Sequence, residues 1–524
     1  MKPFLTAVLV LAAGTVGAAP QSWINPVISG FHPDPSICRV GGDYYLVNST
    51  FEYYPGVPVF HSRDLVHWRQ IGHALDRRSQ LKMDLVRSSG GIYAPTLRCH
   101  GGRFYMITTN VDGGGNFYVH ADNPAGPWSE PVWIKERDPG IDPSLLFDDD
   151  GKVYYTRHGG GEKGGIVQSE IDIATGRLLT EPRVVWRGTG GVWPEGPHLY
   201  KIGAFYYLMI AEGGTSYGHA ITLARASSPW GPFEPAPNNP VLTQRDRVGA
   251  PIQATGHGDL VQAEDGRWWM VLLGVRPRER QHHIGRETML APATWDAQGW
   301  LQAPPVAPVM SAEGLPAPHP WPASPIRDEF NGRALGLQWN TLRGSARSLY
   351  SLTARPGALR LNGGSDSLET VGTPAFVGRR QEHLRARAAT EVAFTPGPGQ
   401  SAGLALRMNE ANHYLLRIVG EGAGKRRAEL VTRVKGATTV HGSVALAGGP
   451  VTLQVQAWPD RYDFSVRAGK GGWQTVGGAP TAALSSEQAG GFTGVYLGMF
   501  ATGTGAQATF NWFDYEPLDS SPHQ

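Results

Sequence analysis

Three carboxylates and one histidine occupy equivalent places in a pattern that recurs along this sequence. Asp34 and Asp142 each begin a repeat, Glu195 stands one residue before another, and His257 begins the last. Carboxylates that face each other across a channel can perform acid–base catalysis. One group, ionised, activates a water molecule, and another, protonated, donates a proton to the leaving oxygen. A third carboxylate can raise the pKa of the acid by like-charge repulsion. The trio therefore predicts hydrolysis of a glycosidic bond.

The pattern that carries these residues is a polar residue, a Pro or Gly, a short strand, a tight turn and an aromatic strand. It starts at residues 34, 94, 142, 196 and 257, and Ala94 takes the polar place in the second copy. Each copy leaves room for four strands, the size of a propeller blade. The sequence predicts a five-bladed β-propeller over residues 24–310. Its innermost strands would bring the repeat starts to one axis.

Composition agrees with an all-β protein. Glycine (69) and proline (41) are abundant, 51 residues are aromatic and only 18% are charged, which excludes a coiled coil or a charged disordered chain. The net charge of +2 and the lack of a basic run give no indication of nucleic acid binding. Residues 311–326 are proline-rich and predict a stiff linker. Residues 327–518 alternate in short strands between glycine turns, which predicts a concanavalin-like β-sandwich.

The first 19 residues predict a signal peptide. A positive start at Lys2 precedes an apolar stretch and then small residues. No later segment reaches about 20 apolar residues, so we expect no membrane association. The protein is expected to be exported, periplasmic or extracellular. An exported protein could bridge its two cysteines, Cys38 and Cys99. The repeat alignment places them on opposite faces of equivalent strands, which favours two buried thiols.

Several motifs stand in a fixed order along the chain: Phe31-His-Pro-Asp-Pro-Ser, Ser49-Thr-Phe-Glu-Tyr-Tyr-Pro-Gly-Val, Ser88-Ser-Gly-Gly-Ile-Tyr-Ala-Pro-Thr, Glu195-Gly-Pro-His-Leu-Tyr-Lys and Gly285-Arg-Glu-Thr. Together they resemble family 43 of the glycoside hydrolases, in its β-xylosidase and α-L-arabinofuranosidase branch with a C-terminal β-sandwich. The resemblance implies Asp34 as general base, Glu195 as general acid, Asp142 as the residue that modulates and orients the acid, and an inverting outcome.

The same resemblance implies the residues of the sugar pocket. Phe51 and Tyr93 would form its wall, although relatives often have Trp in place of Tyr93, and Arg286 would hold a sugar hydroxyl. His257 resembles an axial histidine that orders water around a central cation, often Ca²⁺. A histidine that only makes hydrogen bonds is the alternative, and no cofactor is required. Residues 492–500 are either the sandwich loop that closes the pocket in this branch or a core strand.

Three formal motifs predict ordinary turns. The glycine-rich residues 159–164 lie between two strands and open no helix, unlike a dinucleotide site. Asp148-Asp-Asp-Gly151 lacks the alternating ligands of a calcium loop. Gly214-Thr-Ser216-Tyr-Gly218 would suit a serine esterase only if a helix followed, and a strand-like segment follows instead.

The sequence thus predicts an inverting exo-glycosidase that releases terminal pentose from xylo- or arabinoxylo-oligosaccharides. A β-D-xylosidase is the first choice, and an α-L-arabinofuranosidase, or both activities together, is the alternative. A non-catalytic sugar-binding propeller is the alternative from another class. Three axial carboxylates argue against it, because a neutral-sugar lectin has no use for them. The oligomeric state is left open.

Overall fold

The computed structural model describes residues 22–162, 164–344, 348–422 and 424–518. The predicted signal peptide, residues 1–19, lies outside the described residues. Within those ranges the all-β prediction is confirmed, because helical structure is limited to a 3-10 turn, Thr481–Leu484, and one α-helical turn, α1, Ser486–Ala489. No helix in the described part of the chain is long and apolar enough to cross a membrane.

Five antiparallel sheets follow the short strand β1 (Ser22–Ile24). The first contains β2 (Ser36–Val40), β3 (Asp43–Val47), β5 (Gly56–Ser62) and β6 (Arg69–Leu75), with β4 (Tyr53–Tyr54) set apart between β3 and β5. The second contains β7 (Thr96–His100), β8 (Arg103–Asn110), β9 (Gly115–Ala121) and β10 (Val132–Trp133). The third contains β11 (Ile141–Phe147), β12 (Val153–His158), β13 (Ile166–Asp172), β14 (Arg177–Leu178) and β15 (Arg183–Trp186). The fourth contains β16 (Glu195–Ile202), β17 (Phe205–Glu212), β18 (Ala220–Ala226), β19 (Glu234–Pro235) and β20 (Leu242–Thr243). The fifth contains β21 (Gln253–Gln262), β22 (Trp268–Val275), β23 (Glu287–Trp295) and β24 (Leu301–Gln302).

The first strands of these sheets surround one axis. β2 contacts β7, β7 contacts β11, β11 contacts β16, β16 contacts β21, and β21 returns to β2. The ends of this region are joined as well, because β1 pairs antiparallel with β25 (Val309–Ser311). A ring of sheets with their first strands innermost is a β-propeller. All five repeat starts therefore lie at or just before an innermost strand.

Residues 312–326 contain no helix or strand, and two packed sheets follow. In chain order, the strands of this region are β26 (Arg327–Asp328), β27 (Thr341–Leu342), β28 (Tyr350–Ser351), β29 (Leu359–Asn362), β30 (Ala375–Arg380), β31 (Ala386–Ala393), β32 (Ser401–Asn409), β33 (Asn412–Gly422), β34 (Lys425–Val434), β35 (Ala437–Leu446), β36 (Val451–Ala457), β37 (Arg461–Ala468), β38 (Gln474–Pro480), β39 (Tyr496–Thr502) and β40 (Gln507–Pro517). One sheet has the order β28-β29-β40-β31-β36-β37-β38 with β26 on β40, and the other has the order β30-β39-β32-β33-β34-β35. Alternating apolar side chains such as Leu404, Leu416, Leu453 and Phe464 fill the space between them, as in a β-sandwich.

The propeller and the sandwich are joined by backbone pairing. β27 of the sandwich region pairs antiparallel with β4 of the propeller, with Thr341 opposite Tyr54 and Leu342 opposite Tyr53. Tyr53 also stacks on Tyr496 of β39, with ring centroids 3.6 Å apart. β4 begins two residues after Phe51, so the joint between the domains lies close to a predicted pocket residue.

The two cysteines form a disulfide, and the prediction of two buried thiols is wrong. Cys38 on β2 and Cys99 on β7 have Cα atoms 5.9 Å apart and are bonded. Neighbouring propeller sheets pack face to face, so the front of one meets the back of the next. Two residues on opposite faces of equivalent strands in neighbouring sheets therefore point towards each other, as Cys38 and Cys99 do. The repeat alignment would oppose a bridge only if both strands belonged to one sheet.

The three formal motifs form turns, as predicted. Gly159 N donates to the carbonyl of Gly165 (2.8 Å) in the connection between β12 and β13. The acidic turn at Asp148 joins β11 to β12 and binds Lys201 (2.9 Å). Ser216 lies in the connection between β17 and β18, and the segment that follows it is a strand. The geometry of a nucleophile elbow is therefore missing at Ser216.

Candidate active site

The axial residues lie at irregular points of the innermost strands. Asp34, Asp142 and His257 have left-handed φ angles of 53°, 55° and 47°, and Gly196, next to Glu195, has a φ of 57°. The pairing register shifts at the same points in β11, β16 and β21. A bulge redirects a side chain that regular alternation would send to a sheet face. Strained backbone of this kind persists where surrounding structure enforces it, often at functional sites.

Asp34 is buried and well supplied with donors. Its Oδ2 accepts from Ser49 Oγ (2.5 Å), and its Oδ1 accepts from Arg286 Nη1 (2.8 Å). His257 Nδ1 lies 3.9 Å from Asp34 Oδ1. Burial alone would raise the pKa of Asp34, but Arg286, His257 and the Ser49 hydrogen bond outweigh it and lower that pKa. Asp34 is therefore held as a carboxylate.

Glu195 and Asp142 have the opposite tendency. Burial, together with the charge of Asp34, raises the pKa of Glu195 to about 7, and its nearest donor is Thr215 Oγ1 (3.4 Å). Burial and the neighbouring Glu195 and Asp34 raise the pKa of Asp142 well above its ordinary value. Asp142 Oδ2 accepts from Gly196 N (3.1 Å), so it also fixes the backbone beside the acid. The pKa values of these two groups are therefore shifted towards protonation, whereas that of Asp34 is shifted towards ionisation.

The wall of the site comes from both domains. Phe51 contacts Tyr93 (ring centroids 5.1 Å) and stacks on Phe492 of the sandwich (6.0 Å). The Cζ atom of Arg286 lies 5.7 Å from the ring centroid of Phe51 and 5.6 Å from that of Phe492. Arg286 Nη2 also donates to Phe492 O (3.3 Å). Residues 492–500 thus contain both of the alternatives predicted from the sequence, a loop that reaches the pocket and a core strand. Phe492 lies in a loop that reaches the site, and the segment from Tyr496 onward is core strand.

The donors near His257 do not form a direct ligand set for a metal. His257 is buried, which lowers its pKa, and the cationic Arg286 faces the same carboxylate. Among the described residues, no group of three or more His, Cys, Asp or Glu side chains could hold a metal ion. His257 instead approaches the base, with its Nδ1 3.9 Å from Asp34 Oδ1.

A buried ionic cluster supports this wall from the domain joint. Arg407 of β32 and Glu52, both fully buried, lie 3.2 Å apart. Glu52 Oε2 accepts from Ser89 N (2.9 Å), and Ser89 Oγ accepts from Phe492 N (2.8 Å). Tyr93 Oη donates to Ser89 O (3.1 Å). The cluster therefore connects the sandwich sheet to the pocket wall through a few hydrogen bonds.

Sequence reasoning did not assign several of these residues. Ser49 and Ser89 stand inside motifs that carry the family resemblance, so a signal for them was present. Thr215 belongs to the rejected esterase motif. Arg407 had no local signal, because it contacts Glu52 across 355 positions of sequence.

A propeller whose axis holds one ionised carboxylate and two that favour protonation, beside an aromatic pocket, has the groups that a glycoside hydrolase requires. The family model for glycosyl hydrolases family 43 matches residues 23–301, and that for the β-xylosidase C-terminal concanavalin A-like domain matches residues 327–516. The chain belongs to family 43 of the glycosyl hydrolases, whose chemistry needs no cofactor. The predicted concanavalin-like sandwich is thereby confirmed as well.

Several relatives match over nearly their whole length. A non-reducing end α-L-arabinofuranosidase of Bacteroides ovatus is 46% identical over 518 residues, covering 96% of each chain. A xylan 1,3-β-xylosidase of a Vibrio species is 37% identical, covering 94% of this chain and 98% of the relative. The solved structure of GH43B from the Bacteroides ovatus xyloglucan PUL superimposes with a TM-score of 0.91 at 45% identity, covering 95% of this chain and all of that one.

Proposed function

We propose that this enzyme releases terminal pentose residues from the non-reducing ends of hemicellulose oligosaccharides with inversion. The observation that carries the proposal is the opposite shift of two axial pKa values: that of Asp34 is lowered, and that of Glu195 is raised to about 7. An inverting reaction needs an ionised base and a protonated acid at the same pH. Two carboxylates on different propeller sheets meet that need.

In the proposed reaction, Asp34 takes a proton from a water molecule while the water oxygen bonds to the anomeric carbon. The bond from that carbon to the leaving oxygen breaks, and Glu195 gives the leaving oxygen its proton. Asp142 keeps Glu195 in place through Gly196 N, while burial and the charge of Asp34 disfavour the ionisation of Glu195. Proton exchange with solvent restores both groups. Each step uses only a carboxyl proton and water.

The pocket suits a small sugar ring. Phe51, Tyr93 and Phe492 supply apolar faces. Arg286 lines a cavity together with Thr215 and Tyr217, where its guanidinium would contact a sugar hydroxyl. A pocket closed by a loop of the second domain favours the end of a chain over its interior, which supports exo action.

The identity of the pentose is proposed from the relatives. The sequence alone favoured β-D-xylosides, but the relative at 46% identity is a non-reducing end α-L-arabinofuranosidase. Relatives at 38% and 37% identity are named xylosidase/arabinosidase and xylan 1,3-β-xylosidase. We therefore place α-L-arabinofuranosides first and β-D-xylosides second, with one pocket serving both.

The test compares hydrolysis of the two nitrophenyl pentosides and of the matching oligosaccharides. We expect Asp34→Asn to abolish both reactions with the fold intact by circular dichroism. Glu195→Gln should lose far more activity on oligosaccharides than on nitrophenyl pentosides, because a good leaving group needs little acid assistance. Proton NMR should show the inverted anomer first. Full oligosaccharide rates in both variants, or a retained anomer, would refute the assignment.

We also propose that the enzyme is exported to the periplasm or beyond the cell. The signal-like residues 1–19 support this, and so does the Cys38–Cys99 disulfide, because such bridges persist in oxidising compartments. Cell fractionation and N-terminal sequencing of the mature protein test it. A cytosolic protein with an intact first residue would contradict the proposal.

A further inference from the structure

Trp193 is an exposed aromatic residue held in a strained backbone conformation beside the proposed acid. It stands two positions before Glu195, its φ is 54°, and the residue is 40% exposed. A left-handed φ is rare for a bulky residue and persists only where the surroundings enforce it. Strain and exposure together are unexpected for a residue with only a packing role.

The loop before Trp193 is fixed by a buried carboxylate. Glu212, which is 3% exposed, accepts from Thr189 N (3.0 Å), Thr189 Oγ1 (2.9 Å), Gly191 N (2.9 Å) and Thr222 Oγ1 (2.6 Å). Charge-assisted hydrogen bonds of this kind are strong. The loop that presents Trp193 is therefore preorganised, which reduces the entropy lost when a ligand binds.

Further backbone hydrogen bonds hold Trp193 itself. Its N–H donates to Glu162 O (2.8 Å), and the preceding Val192 O accepts from Gly213 N (2.8 Å). The indole borders the next residue of that second loop, because its Cδ1 lies 3.4 Å from where a Cβ on Gly214 would stand. Thr215, one residue further, donates to Glu195 (3.4 Å). The indole is thus linked to the acid through two consecutive loop residues.

We propose that Trp193 is the stacking platform for the sugar ring of the leaving group. The inference rests on the proposed function, in which Glu195 protonates the leaving oxygen. The ring that carries this oxygen must lie beside Glu195, outside the wall formed by Phe51, Tyr93 and Phe492. Trp193, two positions before Glu195 and against the loop at Gly214, offers an exposed aromatic face for that ring. Sugar rings present apolar C–H faces that pack on indole in the way other apolar surfaces do.

The magnitude follows from the area covered. Covering about 50 Å² of apolar ring face strengthens binding by about tenfold. We expect Trp193→Ala to lower kcat/KM on a pentose disaccharide about tenfold relative to kcat/KM on the pentosyl fluoride of the same configuration, which has no leaving-group ring. Trp193→Phe should recover most of that ratio, because it keeps an aromatic face.

The matched control is Trp473→Ala, since Trp473 is similarly exposed (43%) but lies on the sandwich. It should leave the ratio unchanged. A second measurement titrates the disaccharide and the free pentose into inactive Asp34→Asn enzyme, where Trp193→Ala should weaken only disaccharide binding. An unchanged ratio and unchanged disaccharide affinity would overturn the platform. If no pentoside were hydrolysed by the parent enzyme, the proposed function itself would fail.

Discussion

Replacing Arg407 should destabilise the protein and loosen a pocket wall that lies in the other domain. The guanidinium is fully buried and donates to Glu52 (3.2 Å), Tyr53 Oη (3.0 Å), Ser88 Oγ (2.8 Å) and Glu410 (2.9 Å). All of these bonds would be lost in Arg407→Met, which removes the charge and keeps much of the side-chain volume. The change therefore isolates the electrostatic contribution from the packing contribution.

The loss can be estimated from the burial of Glu52. Without Arg407, the carboxylate of Glu52 keeps Ser89 N as its hydrogen-bond donor among the described residues, and it remains fully buried. Removing one partner of a buried ion pair costs about 3–5 kcal/mol, because the other charge is left uncompensated. We expect the free energy of unfolding of Arg407→Met to fall by about that amount. Adding Glu52→Gln should recover part of it by removing the uncompensated charge.

Urea denaturation followed by tryptophan fluorescence measures these free energies, and steady-state kinetics reports on the wall. KM should rise in Arg407→Met, because Ser89 holds Phe492 and Tyr93 and is itself held by Glu52. The matched control is an exposed pair. Arg78→Met breaks the contact of Arg78 with Asp84 (2.8 Å) and should cost about 0–1 kcal/mol with no change in KM.

Three results would each refute a part of this reasoning about Arg407. If the free energy of unfolding of Arg407→Met fell by less than about 1 kcal/mol, the buried ion pair would contribute no more to stability than an exposed ion pair does. A double variant with Glu52→Gln that is no more stable than Arg407→Met would show that the uncompensated charge is not the source of the loss. A large stability loss with unchanged KM would separate the cluster from the pocket wall.

Two further predictions concern pH and the disulfide. Glu195 must be protonated to act as an acid, so kcat/KM on oligosaccharides should fall as pH rises through about 7, the raised pKa of this group. Asp34 must be ionised, and its lowered pKa should keep the acidic limb below about pH 4. The paired variant Cys38→Ala/Cys99→Ala should lose about 4 kcal/mol of unfolding free energy, since the bridge closes a loop across 61 positions.

The pH profile is measured from pH 3 to 10 on a substrate with a poor leaving group. An alkaline limb near the ordinary glutamate value of about 4.3 would remove Glu195 from the role of acid. Urea denaturation with and without reductant measures the disulfide effect. Two thiols titrating in unreduced, unfolded protein would show that Cys38 and Cys99 are not bridged in solution.

The propeller half of the site could be predicted because its geometry is repeated. Each innermost strand brings its starting residue to the same axis, so Asp34, Asp142 and His257 could be aligned without knowing any contact. The alignment also carried the information for the Cys38–Cys99 bridge. The prediction of two buried thiols is wrong because Cys38 and Cys99 lie on neighbouring sheets, and the packing between sheets brings their opposite faces together.

The contribution of the sandwich could not be derived in the same way. Phe492 N reaches Ser89 across 403 positions, and Arg407 reaches Glu52 across 355. No periodicity relates the sandwich strands to the propeller repeats, so composition and spacing have no means to pair these residues. The sequence left residues 492–500 open between loop and strand. The pairing of β39 with its neighbours shows that the strand begins at Tyr496 and that Phe492 lies in the loop before it.

The opposite pKa shifts of Asp34 and Asp142 are decided by their neighbours more than by burial. Burial is the largest contribution to the pKa of Asp34, as it is for Asp142, and it acts upward on both. The result differs because Asp34 has a guanidinium and a hydroxyl on its two oxygens, from Arg286 and Ser49, whereas Asp142 has one backbone amide and a neighbouring glutamate. Those two donors lie 252 and 15 positions from Asp34. Arg286 therefore has two roles in the proposed reaction: it keeps the base ionised, and it lines the cavity in which the sugar would bind.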